Sequence, residues 1–230
     1  MNAPLGLPRL HLRSTDSTNE RARVLARAGA PHGTLVTAAE QTAGRGRQGR
    51  SWSAPPGRAL LMSLVLRELD TLLPAAGAVA VADVVGDDAA IKWPNDVLLR
   101  GGKLAGILVE ARPTSGWAVM GIGFNVAVRR EDLPPELRDS AATLGLEPDA
   151  LEPTLDALLV ALARRLRERP ETLLAAYRER DALLGRQIRW QRGAGVAAGI
   201  DAVGRLLVDC DDGTRAALQA GEVHLVTPPA

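Results

Sequence analysis

A short segment rich in glycine and arginine, residues 44–50 (GRGRQGR), combines residue types that bind anions. Glycine lets a backbone approach a ligand closely, and the guanidinium groups of Arg45, Arg47 and Arg50 can make paired bonds to phosphate or carboxylate oxygens. The letters also fit the pattern GxGxxG, but dinucleotide-binding folds need a helix directly behind it, and WSAPP follows here instead. Nor is there the Lys-Ser or Lys-Thr pair of a nucleotide phosphate loop. We therefore predict a mobile anion-binding loop, the alternative being a solvated basic loop.

A second candidate segment, residues 92–96 (KWPND), continues through a glycine pair into the sequence KLAGIL. Proline ends the preceding strand and turns the chain, so Asn95 and Asp96 lie at a rigid corner where their side chains can face a ligand. Gly106, inside a predicted strand, indicates close approach of a ligand or of another backbone. Each feature also has a plainer interpretation. Asn-Asp after proline is ordinary turn chemistry, and a lysine beside a hairpin turn, here Lys103, is more often a solvated charge.

The elements that must position these residues follow from the hydrophobic periodicity. Predicted strands cover residues 9–13, 34–40, 59–66, 90–93, 97–99, 104–111 and 117–126, and predicted helices cover residues 17–28, 74–85, 154–169 and 170–184. Ser17 and Glu20 have the spacing of a capping box, and Gly101-Gly102 predicts a two-residue hairpin turn. Beyond residue 187, short alternating runs predict a small β-barrel of about five strands.

The composition excludes several classes of protein. With 230 residues and 46% hydrophobic content, one main domain with a small appendage is expected. The 28 lysines and arginines nearly balance 27 acidic residues, so nonspecific binding to nucleic acid or membrane is not expected. Cys210 is the single cysteine and there are three histidines, so neither a disulfide nor a histidine–cysteine metal cage is predicted. Signal-like and membrane-spanning runs are absent from the sequence, and we expect a cytoplasmic protein.

Five segments in a fixed order give the sequence a recognisable overall pattern. They are residues 17–19 (STN), 40–47 (EQTAGRGR), 92–96 (KWPND), 103–108 (KLAGIL) and 121–126 (GIGFNV). In this order they closely resemble the motifs of the biotin protein ligase family. Only about a dozen residues precede the first motif. The resemblance is therefore to the form that lacks an N-terminal DNA-binding domain, and we expect no binding to DNA.

The resemblance implies an α/β (α+β) fold. A mixed-sheet catalytic domain of the biotin/lipoate ligase type, residues 1–184, would be followed by a small SH3-like β-barrel, residues 185–230. It implies an enzyme that uses ATP, with Mg²⁺, to convert biotin into biotinyl-5′-adenylate. The biotin would then be transferred to a lysine of a biotin carboxyl carrier protein, or of that domain in a biotin-dependent carboxylase. No membrane partner is implied, and the formation of a homodimer stays open.

The resemblance also implies roles for individual residues. Those implied to bind biotin are Ser17, Thr18, Asn19 and Gln41 at the ureido end, Arg45, Gly46 and Lys103 at the carboxylate side, and Gly44, Arg47 and Gly106. Those implied to bind the nucleotide are Arg47, Arg50, Trp52, Asn95, Asp96 and Asn125, with Asn95 and Asp96 around the polyphosphate and its Mg²⁺. The cations implied to act in catalysis are Lys103, Arg45, Arg47 and Lys92.

Two other functions are alternatives to biotin ligation. A lipoate ligase would share the scaffold but would need a pocket for a dithiolane, and the glycine-arginine loop together with KWPND favours biotin. A non-catalytic biotin-binding module would be favoured by loss of Lys103 or of the arginines, which are all present. Gln48 stands where another basic residue would be unsurprising, so somewhat weaker retention of the adenylate is expected.

Overall fold

The computed structural model describes residues 4–67, 69–219 and 221–226. Within this part of the chain, seven strands form a sheet in the order β1-β2-β3-β7-β6-β5-β4. The strands are β1 (Arg9–Leu12), β2 (Leu35–Ala38), β3 (Leu60–Leu66), β4 (Ala89–Lys92), β5 (Asp96–Leu99), β6 (Gly102–Arg112) and β7 (Trp117–Phe124). β1 and β2 are parallel and the other neighbours are antiparallel. The predicted mixed-sheet α/β fold is therefore confirmed.

Helices cover both faces of this sheet. They are α1 (Thr18–Arg27), α2 (Leu73–Val85), α3 (Leu151–Arg165) and α4 (Pro170–Arg178). Helix α2, rich in alanine and valine, packs with α3, α4 and one face of β3, β6 and β7 in the main core, where Met62, Leu64 and Met120 are buried. Helix α1 covers the other face, where Val65 and Val119 are buried. Burial on both faces explains why β3 reads as a continuous apolar run.

Alternation along the strands gives the α1 face an unusual composition. Residues two apart in a strand share a face, so the positions that share it with Val65 and Val119 include Ser63, Gly121 and Gly123. Small side chains at these positions let Asn19 and the Trp52 ring lie directly against the sheet. The sheet therefore brings polar and aromatic side chains of α1 and of the loops together on this face.

A second sheet follows α4. Its strands are β8 (Gln187–Trp190), β9 (Gly193–Ile200), β10 (Leu206–Cys210), β11 (Arg215–Leu218) and β12 (His224–Leu225), in the order β11-β10-β9-β8-β12. The expected SH3-like barrel is not closed within the described residues, because the edge strands β11 and β12 do not pair with each other. Closure requires matched strand lengths and stagger, and β12 contributes two residues, both paired to β8.

Three local predictions were wrong in detail. Ser17 makes no side-chain capping bond to the described residues. The N–H of Thr18 donates instead to Gln41 Oε1 at 2.7 Å, so a tertiary contact replaces the capping box. The β5–β6 turn consists of Arg100 and Gly101, with φ of 50° and 84°. Helix α4 ends at Arg178 rather than near residue 184, because the chain beyond it pairs with Ile91 of β4.

Asp83 of α2 forms a half-buried ion cluster with α3. Arg165 binds it through two nitrogens, at 2.7 and 2.8 Å, and Arg164 adds a third bond at 2.7 Å. Removing Asp83 leaves buried guanidinium charge without its partner, so Asp83→Ala is expected to lower the free energy of unfolding by about 3 kcal/mol. Chemical denaturation measures this loss. Asp87→Ala, at an exposed position just beyond the same helix, is the matched control and should change stability little.

The contribution of Asp83 to stability should be present at neutral pH and lost at low pH. Burial raises the pKa of Asp83, but the bonds from Arg165 and Arg164 outweigh it, and the pKa lies below its usual value. A carboxyl group with a lowered folded-state pKa stabilises the fold above its unfolded pKa of about 4 and loses this contribution as the pH falls through the folded value. The difference in the free energy of unfolding between wild type and Asp83→Ala should therefore shrink below about pH 4. A constant difference down to pH 2 would contradict the role given to this carboxylate.

None of the helices in the described ranges combines the length and the apolar character that a membrane crossing requires.

Candidate functional site

A pocket of about 100 Å³ lies on the α1 face of the large sheet, beneath the glycine-arginine loop. Its lining comes from the start of α1, from that loop and from strands β3, β5, β6 and β7 with their connections. The described lining residues are Ser17, Thr18, Asn19, Gln41, Arg45, Gly46, Arg47, Arg50, Ser51, Trp52, Met62, Asn95, Asp96, Lys103, Gly106, Ile107, Leu108, Gly121, Ile122 and Gly123. The structure thus brings most of the residues singled out in the sequence into one place.

Glycines of β6 and β7 form the floor of the pocket. A Cβ atom at Gly121 would lie 2.0 Å from Asn19 Oδ1, and one at Gly123 would lie 2.4 Å from the indole of Trp52. Gly106, the register partner of Gly123, would place a Cβ 3.3 Å from the same indole. The Trp52 ring therefore rests on the backbone of two neighbouring strands. No larger residue fits at these positions without moving the pocket wall.

One end of the pocket is polar but uncharged. The N–H and hydroxyl of Thr18 both donate to Gln41 Oε1, at 2.7 and 3.0 Å. The hydroxyl of Ser63 lies 2.6 Å from Asn19 Oδ1 and 2.8 Å from Thr18 Oγ1. Asn19 Nδ2 donates to Glu110 Oε2 at 2.8 Å. Amide and hydroxyl groups held in this way suit a ligand group with its own donors and acceptors, such as an amide or urea.

Asp16 fixes the start of α1 next to this polar end. Its Oδ1 accepts a hydrogen bond of 2.7 Å from the N–H of Ser17. The guanidinium of Arg21 and this N–H hold the pKa of Asp16 well below its usual range. The carboxylate is therefore ionised at every physiological pH, at a helix N-terminus where negative charge is favourable.

The other end of the pocket is cationic. The glycine-arginine loop folds back on itself, because Gly46 N–H donates to Arg50 O at 2.7 Å and Trp52 N–H donates to Gly44 O at 2.9 Å. Arg47 Nη1 donates to Asn95 Oδ1 at 3.3 Å, and burial lowers the pKa of Arg47. A guanidinium remains charged nevertheless. The loop thus presents its arginines to the pocket from a closed turn.

Lys103 completes the cationic end. Its Nζ lies 2.8 Å from Asp96 Oδ1 and 5.6 Å from the centroid of the Trp52 ring. Asn95 is fixed to β6 by two bonds, from its Nδ2 to Ile107 O at 3.0 Å and from Ile107 N–H to its own carbonyl at 2.9 Å. The corner that carries Asn95 and Asp96 is therefore held rigidly beside Lys103.

The charges of the lining point to an anionic ligand. The described lining residues carry four cations and one carboxylate, that of Asp96. Among the described residues no group of three or more histidine, cysteine and acidic side chains could hold a metal ion by itself. A divalent cation that arrives with a phosphate group needs only one or two protein carboxylates, and Asp96 can supply one. The pocket suits a ligand with a urea- or amide-like head and an anionic tail.

Three residues implied by the resemblance do not line this pocket. A Cβ at Gly44 would lie 2.3 Å from Trp52 O, so this glycine serves the loop turn. Asn125 is buried, and its Nδ2 donates to Ala142 O at 2.9 Å. Lys92 lies opposite Asp96 in the β4–β5 register, outside the lining. Asn125 therefore holds the segment around Ala142 in place. Lys92 lies in β4, one strand away from the pocket residue Asp96.

Four residues of the site or its surroundings were not singled out as ligands in the sequence. Gly121 and Gly123 stood in a quoted motif, and strand alternation could have placed them on the pocket face. Ser63 is a polar residue inside a buried apolar strand, which signals a hydrogen-bonding role. Glu110 gave no sequence signal, since only the sheet order brings it to Asn19.

Comparison with known proteins matches both parts of the chain to one family. Residues 11–125 match the Biotin/lipoate A/B protein ligase family, and residues 183–226 match the Biotin protein ligase C terminal domain. The chain is 36% identical to a Biotin--[acetyl-CoA-carboxylase] ligase of Mycobacterium tuberculosis, over 92% of this chain and 86% of that protein. It is 37% identical to the enzyme of that name from Paracoccus denitrificans, over 92% of this chain and 98% of that protein. The structure resembles the Aquifex aeolicus biotin protein ligase solved with biotin and ATP, with a TM-score of 0.80 and 27% identity. The match covers 95% of this chain and 98% of that one.

Proposed function

This chain belongs to the biotin protein ligase family, and from that premise we infer that it is an ATP-dependent biotin protein ligase. It converts biotin and ATP into biotinyl-5′-adenylate and then transfers the biotin to a lysine of a carrier protein. The observation that carries this inference is a single pocket with an uncharged hydrogen-bonding end and a cationic end. Biotin has the matching chemistry, a ureido group at one end and a carboxylate at the other. ATP supplies the second anion that the arginines can bind.

We propose that biotin lies with its ureido group at the start of α1. Thr18, Asn19 and Gln41 then supply donors and acceptors, with Ser17 beside them at the positive end of the helix. The carboxylate lies toward Arg45, Gly46 and Lys103. Gly106 lets the side chains of Trp52 and Lys103 lie against β6 beside the ligand, and Gly44 serves by shaping the loop that carries Arg45 and Gly46.

In the first step the biotin carboxylate attacks the α-phosphorus of ATP. A carboxylate O–P bond forms and the bond to the leaving pyrophosphate breaks, so two anions must approach while charge builds up on the leaving group. Lys103, Arg45 and Arg47 are the fixed cations that make this approach tolerable, and each such donor contributes a few kcal/mol at a transition state. The loop that carries the arginines also excludes water from a mixed anhydride that water would destroy.

We propose that the nucleotide lies along the loop side of the pocket. Arg47 and Arg50 contact its phosphates, the Trp52 ring packs near its base, and Asn95 and Asp96 lie beside its polyphosphate. Asp96 is the carboxylate that would hold Mg²⁺, because this ion binds through one or two carboxylates together with substrate phosphates. When bound, Mg²⁺ would neutralise charge on the polyphosphate. For Lys92 and Asn125 we propose indirect roles, in the strand beside Asp96 and in the segment that Asn125 anchors.

In the second step the ε-amine of the carrier lysine attacks the anhydride carbonyl. A C–N bond forms, the bond from the acyl carbon to the phosphate oxygen breaks, and adenosine monophosphate leaves. Lys103 stabilises the negative charge that develops on the acyl and bridging oxygens. We propose that the acceptor is the biotin carboxyl carrier domain of a biotin-dependent carboxylase, as the names of the relatives from M. tuberculosis and P. denitrificans suggest.

We propose that the chain divides near residue 185 into a catalytic unit, residues 1–184, and a C-terminal unit, residues 185–230. Two contacts tie the C-terminal unit to the site. Trp93 Nε1 donates to Gly204 O at 3.0 Å, and Arg50 Nη1 donates to Glu222 Oε1 at 2.9 Å. Connections between strands of the C-terminal unit therefore contact both the KWPND corner and the glycine-arginine loop.

The second candidate, lipoate ligation, is disfavoured by the buried polar end of the pocket. A dithiolane offers no hydrogen-bonding groups to Thr18, Asn19 and Gln41. Buried polar groups that lose water without gaining a partner cost free energy, about 1–3 kcal/mol each. A ureido group satisfies them. The polar end therefore selects biotin.

Mass spectrometry of an acceptor domain tests the proposed function. The protein is incubated with ATP, Mg²⁺ and a biotin carboxyl carrier domain, with biotin in one tube and lipoate in another, and a third tube contains biotin without ATP. We expect a mass gain of one biotin in the first tube alone. A gain only with lipoate would assign the chain to lipoate ligation, and no gain together with undetectable adenylate would remove the enzymatic function.

A further inference from the structure

A row of four charged side chains runs along the edge of the pocket, from β6 across α1 to Arg45 of the glycine-arginine loop. Glu110 Oε1 accepts from Arg23 Nη1 at 3.2 Å, Arg23 Nη2 lies 3.1 Å from Glu20 Oε2, and the same Glu20 oxygen lies 3.2 Å from Arg45 Nη1. The other oxygen of Glu110 accepts from Asn19 Nδ2 at 2.8 Å. The row therefore begins at the uncharged end of the pocket and finishes at the cationic end.

We propose that Arg23, with Glu20 and Glu110, is a positioning residue that holds Asn19 and Arg45 in the orientation that binds biotin. The proposal rests on the proposed function, because it takes Asn19 and Arg45 as partners of the ureido group and the carboxylate. Glu20, Arg23 and Glu110 are not among the described residues that line the pocket. They act on the ligand only through the two residues that they hold.

At the uncharged end, Glu110 fixes the orientation of an amide. Asn19 Nδ2 donates to Glu110, and its Oδ1 lies 2.6 Å from the hydroxyl of Ser63. These two contacts together exclude the flipped amide, in which the oxygen would face the carboxylate of Glu110. Without Glu110 both orientations become accessible, and one of them presents the wrong atom to the ureido group.

At the cationic end, Glu20 restrains a mobile arginine. The side chain of Arg45 is 50% exposed, so without a partner it would sample many rotamers. Its pair with Glu20 uses one terminal nitrogen and leaves the other N–H groups of the guanidinium for a ligand carboxylate. A guanidinium that is already placed loses less conformational entropy when biotin binds.

Arg23 is the centre of the row because it neutralises both carboxylates at once. The side chains of Arg23, Glu20 and Glu110 are about one-fifth exposed, at 17%, 22% and 22%, so solvent screens their charges incompletely. If Arg23 is lost, two carboxylates remain near each other and near the site of an anionic ligand. Both positioning contacts and the local charge balance then fail together.

Arg23→Gln tests the proposal, with Arg27→Gln as the matched control one turn along the same helix at an exposed position. We expect Arg23→Gln to raise the Kd for biotin about tenfold, the size of one lost charge-assisted contact, while the KM for ATP changes little. Loss of a partly buried guanidinium also lowers the melting temperature, so the deciding result is a change in the Kd for biotin that the KM for ATP does not share. Arg27→Gln should leave the Kd for biotin unchanged. Titration calorimetry gives the Kd for biotin, pyrophosphate release at varied ATP concentration gives the KM for ATP, and circular dichroism gives the melting temperature.

Glu20→Gln and Glu110→Gln keep side-chain shape and provide the same test if Arg23→Gln does not fold. Each should raise the Kd for biotin by a smaller factor, about threefold, and in the Arg23→Gln background each should add less than it does alone. An unchanged Kd in all three single variants would overturn the positioning role. Equal increases in the Kd for biotin and the KM for ATP, together with a lower melting temperature, would also overturn the positioning role. Failure of the wild-type protein to bind biotin would instead remove the proposed function, so the two failures are distinguishable.

Discussion

Replacing Lys103 with alanine is expected to slow formation of biotinyl-5′-adenylate by a factor of about 100 to 1,000, the usual effect of removing one preorganised charge-stabilising donor. Lys103 is placed for this role because its Nζ lies 2.8 Å from Asp96 and beside the Trp52 ring. Without it, the carboxylate of biotin and the phosphates of ATP must approach with less opposing charge. Single-turnover release of pyrophosphate measures the first step directly.

The fold should survive this change, which separates chemistry from stability. The pair of Lys103 and Asp96 is partly exposed, at 38% and 23%, so its contribution to stability is small. Arg112→Ala removes an exposed cation at the far end of the same strand and is the matched control. Turnover of the Lys103 variant within threefold of wild type would remove this lysine from the mechanism. Arg45→Ala is expected to block adenylate formation in the same assay.

Replacing Gly121 with alanine is expected to weaken biotin binding by a factor of about 100, equivalent to two lost hydrogen bonds. The new Cβ would lie 2.0 Å from Asn19 Oδ1. Gly121 is paired with Ser63 on one side and Leu108 on the other, so the backbone cannot yield, and Asn19 must move instead. Movement of Asn19 breaks its contacts with Ser63 and Glu110 and withdraws it from the ligand. Titration calorimetry with biotin measures the loss of affinity.

A second substitution distinguishes this steric effect from general damage to the sheet. Gly121→Ala alone should also lower stability by about 1–3 kcal/mol, the usual cost of overpacking. In an Asn19→Ala background the obstructing carboxamide is gone, so adding Gly121→Ala should cost little further stability, while binding stays weak. Normal biotin affinity in the single Gly121 variant would show that Asn19 does not hold the ligand.

Apolar periodicity predicted most of the strands and helices, because it is a local signal. The order of the motifs along the chain predicted the family. The sequence predicts strands over residues 59–66, 104–111 and 117–126 and a helix over residues 74–85, and the structure has β3, β6, β7 and α2 there. The same local reasoning misplaced the β5–β6 turn by one residue. Gly102 is not a turn residue but the first residue of β6, where a Cβ would lie 3.1 Å from the backbone of Ala141. That constraint comes from a segment about forty residues further along the chain.

The capping box failed for a related reason. Ser17 and Glu20 have suitable spacing, but Gln41 reaches the N–H of Thr18, and Glu20 is engaged by Arg23 and Arg45. Competition between a local bond and a tertiary one cannot be read from spacing. The C-terminal strands form no closed barrel within the described residues, because five short strands are equally consistent with an open sheet.

The sequence by itself determined the chemistry that this protein has available: a loop of glycines and arginines, a rigid Asn-Asp corner, a lysine beside a hairpin, and strands with glycines where a ligand can approach. Residue type and short-range spacing set these properties. Only the tertiary structure decided which groups meet, because the order β3-β7-β6 brings Ser63, Gly121 and Glu110 to Asn19 across long stretches of chain. It also turned Asn125 toward Ala142 and joined Asn19 to Arg45 through Arg23. Such contacts depend on distances between elements far apart in the chain, which no local pattern encodes.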